Sequence, residues 1–514
     1  MIHRARGRLS PTGLFALAAA LIVAGGCMVA MSPAPAATPR NIIVLLTDDQ
    51  RYDDLGCTGN RDLRTPHIDA ISRDGLLFRN FFVTSSVCMA SRASLFTGRA
   101  ERSHACNFYY RRLAGDAWEQ SYPVLLRRAG YRTGFVGKFG VDVEGFPKGL
   151  PAGAFDQFDG FAGQGSYFPE GRGGRHLTRI MGDQAIGFLR DCARVGRPFC
   201  LSVSFKAPHV PLEPDPAHAH LYADTVPERG GHVPDRELTG LPGAYRDAAW
   251  YARLEWLSHF SDPAARRDFI LQRYRLIAGV DAEVGRILGE LSRLGLDRDT
   301  AVFFSSDNGY YYGEHGLGTK FYLHEESIRV PLIVRCPWLD PRRAGVALDQ
   351  LAANIDVAPT ILDIAGLAPP PGMQGRSLLP LLQGEGVAWR DAIFCENIIK
   401  ERRPMCDAIR TPDWKLITHF EHRPIQEELY RLSDDPRELR NLADDPACRE
   451  TRDGLRVRLQ QLRVHYSGVD SGFPEWIATQ RENAANWQGY RAGYLKLLRE
   501  RERENTQKTK GGTE

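Results

Sequence analysis

The sequence lacks an excess of either charge. It carries 66 Lys+Arg against 63 Asp+Glu in 514 residues. Three of the basic residues, Arg4, Arg6 and Arg8, lie in an N-terminal stretch without acids, so the remainder is close to neutral. That excludes a nucleic-acid protein held by a broad basic surface. No cysteine pair has zinc-finger spacing and no segment repeats. Beyond Met31 no apolar run reaches membrane length. With 43% hydrophobic, 25% charged and 10% aromatic residues, the composition also excludes disorder, collagen-like repeats and coiled coil. The length suits a large core, or one large domain with a smaller one.

The N-terminus is basic (His3, Arg4, Arg6, Arg8) and then apolar from Gly13 to Met31. Ala34-Pro35-Ala36 offers small residues for cleavage before Ala37. Residues 1–36 therefore read as a signal peptide, and the protein as exported, periplasmic or secreted, with no stable membrane span after cleavage. The competing readings are an uncleaved anchor and a lipoprotein attached through Cys27. Ten cysteines occur in all. Of those outside the leader, Cys192–Cys200 and Cys395–Cys406 are close enough in sequence to bridge, and buried free thiols are the other reading.

Short apolar runs bounded by turn residues occur at Asn41–Thr47, Arg132–Gly137, Phe199–Phe205, Thr300–Ser305 and Val330–Arg335. Runs of this kind suit strands buried on both faces. Helical spacing separates them over Ile68–Asp74, Ala93–Thr97, Tyr122–Ala129, Arg179–Arg190, Arg267–Leu294 and Ile355–Ala365. The pattern predicts an α/β fold, a large, mixed, mostly parallel sheet flanked by helices. After Gln383 it changes to short extended pieces and one helix near Asp453–His465, a smaller C-terminal α+β subdomain. The expected organisation is a catalytic domain over 37–383, the subdomain over 384–500 and a loose tail over 501–514. The stretches Ala207–Pro216 and Gly160–Gly174 read as long surface loops.

Ligands in such sheets bind at the carboxyl ends of the strands. There the sequence places Asp48-Asp49, Asp307-Asn308, Lys138, and Lys206 followed by His209. Three carboxylates packed together repel one another. A divalent cation resolves this, and oxygen ligands favour Ca²⁺ or Mg²⁺ over zinc. A second cluster runs from Ser85 to Arg99. Cys88 stands where a small-residue turn enters a helix, so an anion there meets the helix amides and dipole. Arg92 lies one turn further on. Read alone, Cys88 suits a buried apolar site and Asp-Asp suits a cap or turn.

Residues 86–98, SVCMASRASLFTG, resemble the signature of the type I sulfatases. In that family a cysteine of the pattern Cys-x-Pro-x-Arg becomes formylglycine. GYRTGFVGKFG (Gly130–Gly140) resembles its second signature, and Glu428-Leu429-Tyr430 with Asn441-Leu442-Ala443 its C-terminal element. The motifs occur in family order from about residue 40 to 445. The resemblance implies an alkaline-phosphatase-like sulfatase fold. It implies Asp48, Asp49, Asp307, Asn308 and the formylglycine from Cys88 as Ca²⁺ ligands. It also implies that Cys88, Arg92, Lys138, His209 and Lys320 act on the sulfate ester. Attack by a hydroxyl of the hydrated aldehyde and protonation of the leaving alcohol by His209 are the implied steps.

Two positions depart from the pattern. Ala90 stands where the family has Pro, which the anaerobic maturase tolerates, so that type of formylglycine-installing partner is expected. Gly140 stands where the family usually has His; His104 and His176 are candidate replacements from loops. Around Gly309–Leu317 and Glu325–Pro331 the chain looks most like the N-acetylglucosamine-6-sulfatase and polysaccharide sulfatase branch, which implies a sulfated carbohydrate. His315 is either a pocket residue or a structural loop histidine. Tyr310, Tyr311, Tyr312, Trp250, Trp256 and Trp338 either stack on sugar rings or pack the core. A phosphate or phosphonate ester hydrolase of the same superfold and a non-catalytic sulfated-sugar-binding descendant are the alternatives.

Overall fold

The computed structural model describes residues 40–467, apart from 109, 229–241, 244, 246–249, 400–404, 421 and 423, together with 496. The proposed signal peptide, Cys27 and the tail from 501 lie outside the described residues, as does the Trp250 side chain.

Asn41–Thr47 (β1) alternates its side chains between two apolar cores. Ile42, Val44 and Leu46 enter one, and Ile43 and Leu45 the other. A strand buried on both faces belongs in the middle of a sheet. The other strands are Leu76–Phe78 (β2), Arg132–Lys138 (β3), Gln157–Phe161 (β4), Phe199–Ser204 (β5), Thr300–Ser306 (β6), Leu332–Arg335 (β7) and Val346–Leu348 (β8). Their spatial order is β8-β2-β7-β6-β1-β5-β3-β4. β7 runs against both its neighbours, and every other pairing in the sheet is parallel. Helix α1 (Pro66–Arg73), with α4 (Leu177–Val195) and α5 (Pro263–Arg293), covers one face. Helices α2 (Cys88–Thr97), α3 (Tyr122–Arg128) and α6 (Val357–Ile364) cover the other.

β2, β4 and β8 were not expected. β2 and β8 have three residues each, too short for a period to register, and Asp159 and Gly160 interrupt the apolar run of β4. Helix α2 begins at Cys88, five residues before the apolar spacing at Ala93 marks it. The first turn, Cys88-Met89-Ala90-Ser91-Arg92, is buried on all sides, so no amphipathic stripe announces it. Residues 207–208 of one expected surface loop are also buried.

The C-terminal strands Ile393–Asn397 (β9), Cys406–Arg410 (β10), Trp414–His419 (β11) and Gln426–Arg431 (β12) form an antiparallel meander. Helix α7 (Arg449–Ser467) packs on it through Leu455, Leu459 and Tyr466. Phe394, Ile409 and Leu416 belong to the same apolar core as Ile42 and Val44, so the meander is built onto the large domain. The nine described cysteines are free thiols, which leaves neither candidate bridge formed. No helix among the described residues is long and apolar enough to cross a membrane.

A buried polar network fastens the meander to the segment after β6. Glu428 accepts hydrogen bonds from His324 Nε2 (3.1 Å), His419 Nε2 (2.7 Å), Tyr245 OH (3.0 Å) and Tyr430 OH (2.5 Å). Tyr311 OH donates to His324 Nδ1 at 2.9 Å. The His315 ring stacks on His324, centroids 4.1 Å apart, and its Nε2 lies 3.5 Å from Glu326 Oε2. Burial lowers His324 from 6.5 to about 4. Burial also opposes charge on His315, yet Glu326, Glu438 and Glu314 raise it to about 9. The two histidines therefore act on stability in opposite directions. His324, depressed, contributes stability present above its unfolded value near 6.5 and lost as pH falls toward 4. His315, raised, contributes stability present below 6.5 and lost as pH rises toward 9. The melting temperature should fall on the alkaline side between those values, and His315→Asn should flatten that limb. An unchanged alkaline limb in the variant, measured by thermal denaturation across pH, would refute the charged pair.

Candidate active site

The sheet order places the chemistry. Neighbouring strands β6, β1, β5 and β3 end side by side, and their C-terminal extensions carry Asp307 and Asn308, Asp48 and Asp49, His209, and Lys138. Strand β1 leaves the sheet through Asp49 in a left-handed conformation (φ 69°), and Asp49 N donates to Asp307 Oδ1 at 3.1 Å. Asn308 Nδ2 donates to Asp49 Oδ1 at 2.7 Å. The sequence-predicted residues Asp48, Asp49, Cys88, Arg92, Lys138, Lys320, Asp307 and Asn308 are all buried, and His209 is 13% exposed at its side chain.

The carboxylates are neutralised by cations from separate elements. Lys138, at the end of β3, pairs with Asp48, and Lys320 pairs with Asp49. Arg92, from α2, donates Nε to Asp307 Oδ2 at 2.7 Å and Nη1 to Lys138 O at 2.8 Å, and its Nη2 lies 3.4 Å from Asp48 Oδ2. Burial pushes the Asp48 carboxyl up, but Lys138, His209, Arg92 and Lys320 together hold it well below the usual range. Burial and the nearby Asp48 raise Asp307 to about 6. Cys88 begins α2 and is 2% exposed. Against burial, Asp307 and Asp48 hold Arg92, and Asp49 and Asp48 hold Lys320, above their ordinary values. No side chain caps the α2 N-terminus, so the positive end of the helix dipole lies at Cys88.

Three buried oxygens, Asp48 Oδ1, Asp49 Oδ2 and Asn308 Oδ1, accept no hydrogen bond. Ligand atoms of Asp48, Asp49 and His209 lie within 4.8 Å of one another. Buried acceptors without donors are costly, and a hard cation among them removes the cost. The donor set thus fits an oxygen-liganded divalent ion. Asp307 already accepts from Asp49 N and Arg92 Nε, with lone pairs to spare.

His209 Nδ1 donates to Val210 O at 2.5 Å, and Nε2 lies 3.7 Å from Asp49 Oδ2. Burial, only partly opposed by Asp49 and Asp48, lowers the ring to about 4. The backbone is strained around Lys320, with left-handed Thr319 (φ 67°) and Phe321 (φ 94°) on either side. Such conformations persist where surrounding contacts over-determine them.

At Gly140 (φ +69°) an added Cβ would lie 2.5 Å from Arg92 Cδ, so a side chain at this position would require Arg92 to shift. Neither candidate replacement histidine is free for the site. His104 is buried between Ser94 Oγ (3.1 Å) and Cys106 N (3.0 Å). His176 caps α4 at Thr178 N and stacks on Tyr167. Both rings are buried and satisfy polar groups of the fold, so the expectation that either replaces the missing imidazole is corrected. His315 is the structural loop histidine described above. Tyr310, Tyr311, Tyr312 and Trp256 are buried, and Trp338 packs against the core.

Gln164 was missed. Its Oε1 accepts from Lys138 Nζ at 2.6 Å, on an exposed loop just after β4. The signal was a polar residue just past a strand end, hidden because β4 itself was not recognised.

A model of the family described as Sulfatase matches residues 40–367. The chain belongs to the sulfatase family. This sulfatase is thus a member of the sulfuric ester hydrolases, and a second model, N-sulphoglucosamine sulphohydrolase, C-terminal, matches residues 313–465. The chain is 29% identical to an N-acetylglucosamine-6-O-sulfatase of Bacteroides thetaiotaomicron, over 88% of this sulfatase and 92% of that one. The human N-acetylglucosamine-6-sulfatase is 28% identical, over 82% and 84%. A structure solved in complex with its substrate D-glucosamine-2-N,6-O-disulfate superposes with a TM-score of 0.72 at 26% identity, over 84% of this sulfatase and 99% of that chain. A phosphonate monoester hydrolase from Silicibacter pomeroyi shares the fold, with a TM-score of 0.71 at 22% identity over 83% and 96%.

Asp48 is held ionised by Lys138 and Arg92, so Asp48→Asn should leave two buried cations short of a partner. We expect a loss of about 3–5 kcal/mol in unfolding free energy, measured by denaturant titration in the presence of a chelator. A loss below about 1 kcal/mol would mean that the cations do not depend on this carboxylate.

Proposed function

We propose that this sulfatase is exported and hydrolyses sulfate esters of a carbohydrate, through a formylglycine made from Cys88 and a bound Ca²⁺. One observation carries the reading: Cys88 opens α2 within electrostatic reach of Arg92 and Lys320, whose partners Asp48 and Asp49 present buried oxygens that lack donors. The relatives named for N-acetylglucosamine-6-sulfate, and the structure with bound glucosamine disulfate, favour a 6-O-sulfated glucosamine unit. The basic and apolar N-terminus supports export. Ala90 favours maturation by the anaerobic enzyme.

Asp48, Asp49, Asp307 and Asn308 would hold the ion. When bound, the ion and the formylglycine supply positive charge to the sulfate oxygens and a hydroxyl nucleophile. The remaining work falls to side chains of the chain. Lys138 and Lys320, relieved of part of their carboxylate partners, turn their ammoniums to the equatorial sulfate oxygens, where charge grows in the transition state. Arg92 stays fixed by Asp307 and the Lys138 carbonyl and orients residue 88. Gln164 Oε1 releases Lys138 and accepts instead from a sugar hydroxyl. His209 has Nδ1 committed to Val210 O, so Nε2 is the atom that takes or delivers a proton. With the ring lowered to about 4, it is neutral before substrate binds, and the charge of the sulfate ester favours its protonation.

The test uses protein from the native host or from a host with a matching maturase. Mass spectrometry of the tryptic peptide Asn80–Arg92 should find the aldehyde at position 88. The protein should release sulfate from 6-O-sulfated N-acetylglucosamine, leave phosphonate esters nearly untouched, and lose activity by several orders of magnitude in Cys88→Ala. An unmodified thiol, with sulfated-sugar binding but no turnover, would overturn the proposal in favour of a binding protein. Faster phosphonate turnover would overturn its substrate class.

A further inference from the structure

Helix α5 carries a buried stripe at Ile277, Val280, Val284, Ile287 and Leu291. Arg273 lies in phase with it, one turn before Ile277, and is fully buried. A guanidinium on an apolar stripe demands partners. The ones Arg273 finds are the backbones and a phenol of three segments that leave three different strands. Nη2 donates to Asp49 O, after β1. Nη1 donates to Pro208 O at 3.3 Å, after β5 and next to His209. Nε donates to Tyr312 OH at 2.9 Å, after β6. The guanidinium also lies 4.4 Å from the centre of the Tyr310 ring.

We infer that Arg273 is a positioning residue that holds Asp49, His209 and the Lys320 ribbon in mutual register without touching substrate. The inference rests on the proposed function. The left-handed backbone of Asp49 (φ 69°) gives its carbonyl to Arg273 while its carboxylate meets Asn308 and Lys320. Tyr312 pairs with Gly318 across a two-stranded ribbon, two residues from Lys320. Tyr312 in turn donates to Asp54. One planar fork therefore sets the spacing of three arms, and a shift in any of them moves a carboxylate, an imidazole or an ammonium of the site. Lysine keeps the charge of arginine but presents it as a point, so it cannot span the three acceptors.

Arg273→Lys and Tyr312→Phe are the test variants, the second removing one of the three bonds should the first fail to fold. Ca²⁺ affinity is read by isothermal titration of the chelator-stripped protein, and kcat and KM are read on a sulfated sugar. For Arg273→Lys we expect about a tenfold weaker Ca²⁺ affinity and about a 10²-fold lower kcat, with KM changed less than about threefold. Tyr312→Phe should lose activity in the same sense, to a smaller degree. Wild-type Ca²⁺ affinity and kcat in a folded variant overturn the inference, as does an activity loss that only tracks the unfolded fraction. Wild-type protein that neither binds Ca²⁺ nor releases sulfate overturns the proposed function and the inference together.

Discussion

Asp48, Asp49 and Asp307 are each no more than 1% exposed, and they meet at the ends of two adjacent parallel strands. Two like charges 4 Å apart repel by about 4 kcal/mol even at an effective dielectric of 20. The hydrogen bond from Asp49 N to Asp307 relieves a little of this. The larger part is offset by cations drawn from β3, α2 and the segment between β6 and β7: Lys138, Arg92 and Lys320. The strand order determines this convergence. Placing β1 between β6 and β5, with β3 beyond, sets acids and bases side by side along one edge of the sheet. The same balance that lets the carboxylates be buried also leaves Asp48 Oδ1, Asp49 Oδ2 and the Asn308 amide oxygen without donors. Under the proposed function, a divalent cation held by these carboxylates would leave the ammoniums of Lys138 and Lys320 available to an anionic ester.

Strain collects where this exchange occurs. Asp49, Thr319 and Phe321 are left-handed without being glycine, at a cost of about 1–3 kcal/mol each. The compensation lies outside the large sheet. Glu428, on the C-terminal meander, accepts from two histidines and two tyrosines, and through His324 and Tyr311 it reaches the ribbon that leads to Lys320. Glu325 N donates to Glu438 at 2.7 Å, and Lys415 bridges both glutamates. The meander is thus a brace for the strained ribbon as well as a wall of the core. Its continuity with the main core fits that role.

Where the chemistry is set by local sequence, it was legible. An apolar run followed at once by Asp-Asp or Asp-Asn marks a strand and what stands at its end. The turn entering a helix at Cys88 was legible from its residues, but the apolar spacing began only at Ala93, because the buried first turn has no periodicity of its own. Residues acting across the fold were harder. Arg273 disturbs an otherwise apolar stripe, a signal present in the spacing, but nothing local says which three carbonyl and hydroxyl oxygens it meets. Gln164 follows a strand whose Asp and Gly conceal it. His104 and His176 are the candidates that the sequence offers for the proton-handling role, yet each ring is engaged in a buried hydrogen-bond balance that only the fold reveals.

The two departures from the family pattern lie on elements that touch one another. Ala90 is on the first turn of α2, two residues from Cys88, and Gly140 follows β3, against the stem of Arg92 from the same helix. With no side chain at 140, Arg92 lies close to that backbone and bonds to the Lys138 carbonyl, Ser204 and Asp307. A side chain at 140 would require the Arg92 stem to shift from its present place. The glycine is therefore consistent with an intact site in which Arg92 is packed tightly. Under the proposed function the consequence is chemical: proton handling in the centre falls to His209 Nε2, the one described imidazole nitrogen near the carboxylates. Its ring is lowered by burial and tied at Nδ1, so its protonation follows the charge that enters with the substrate rather than the pH of the medium alone.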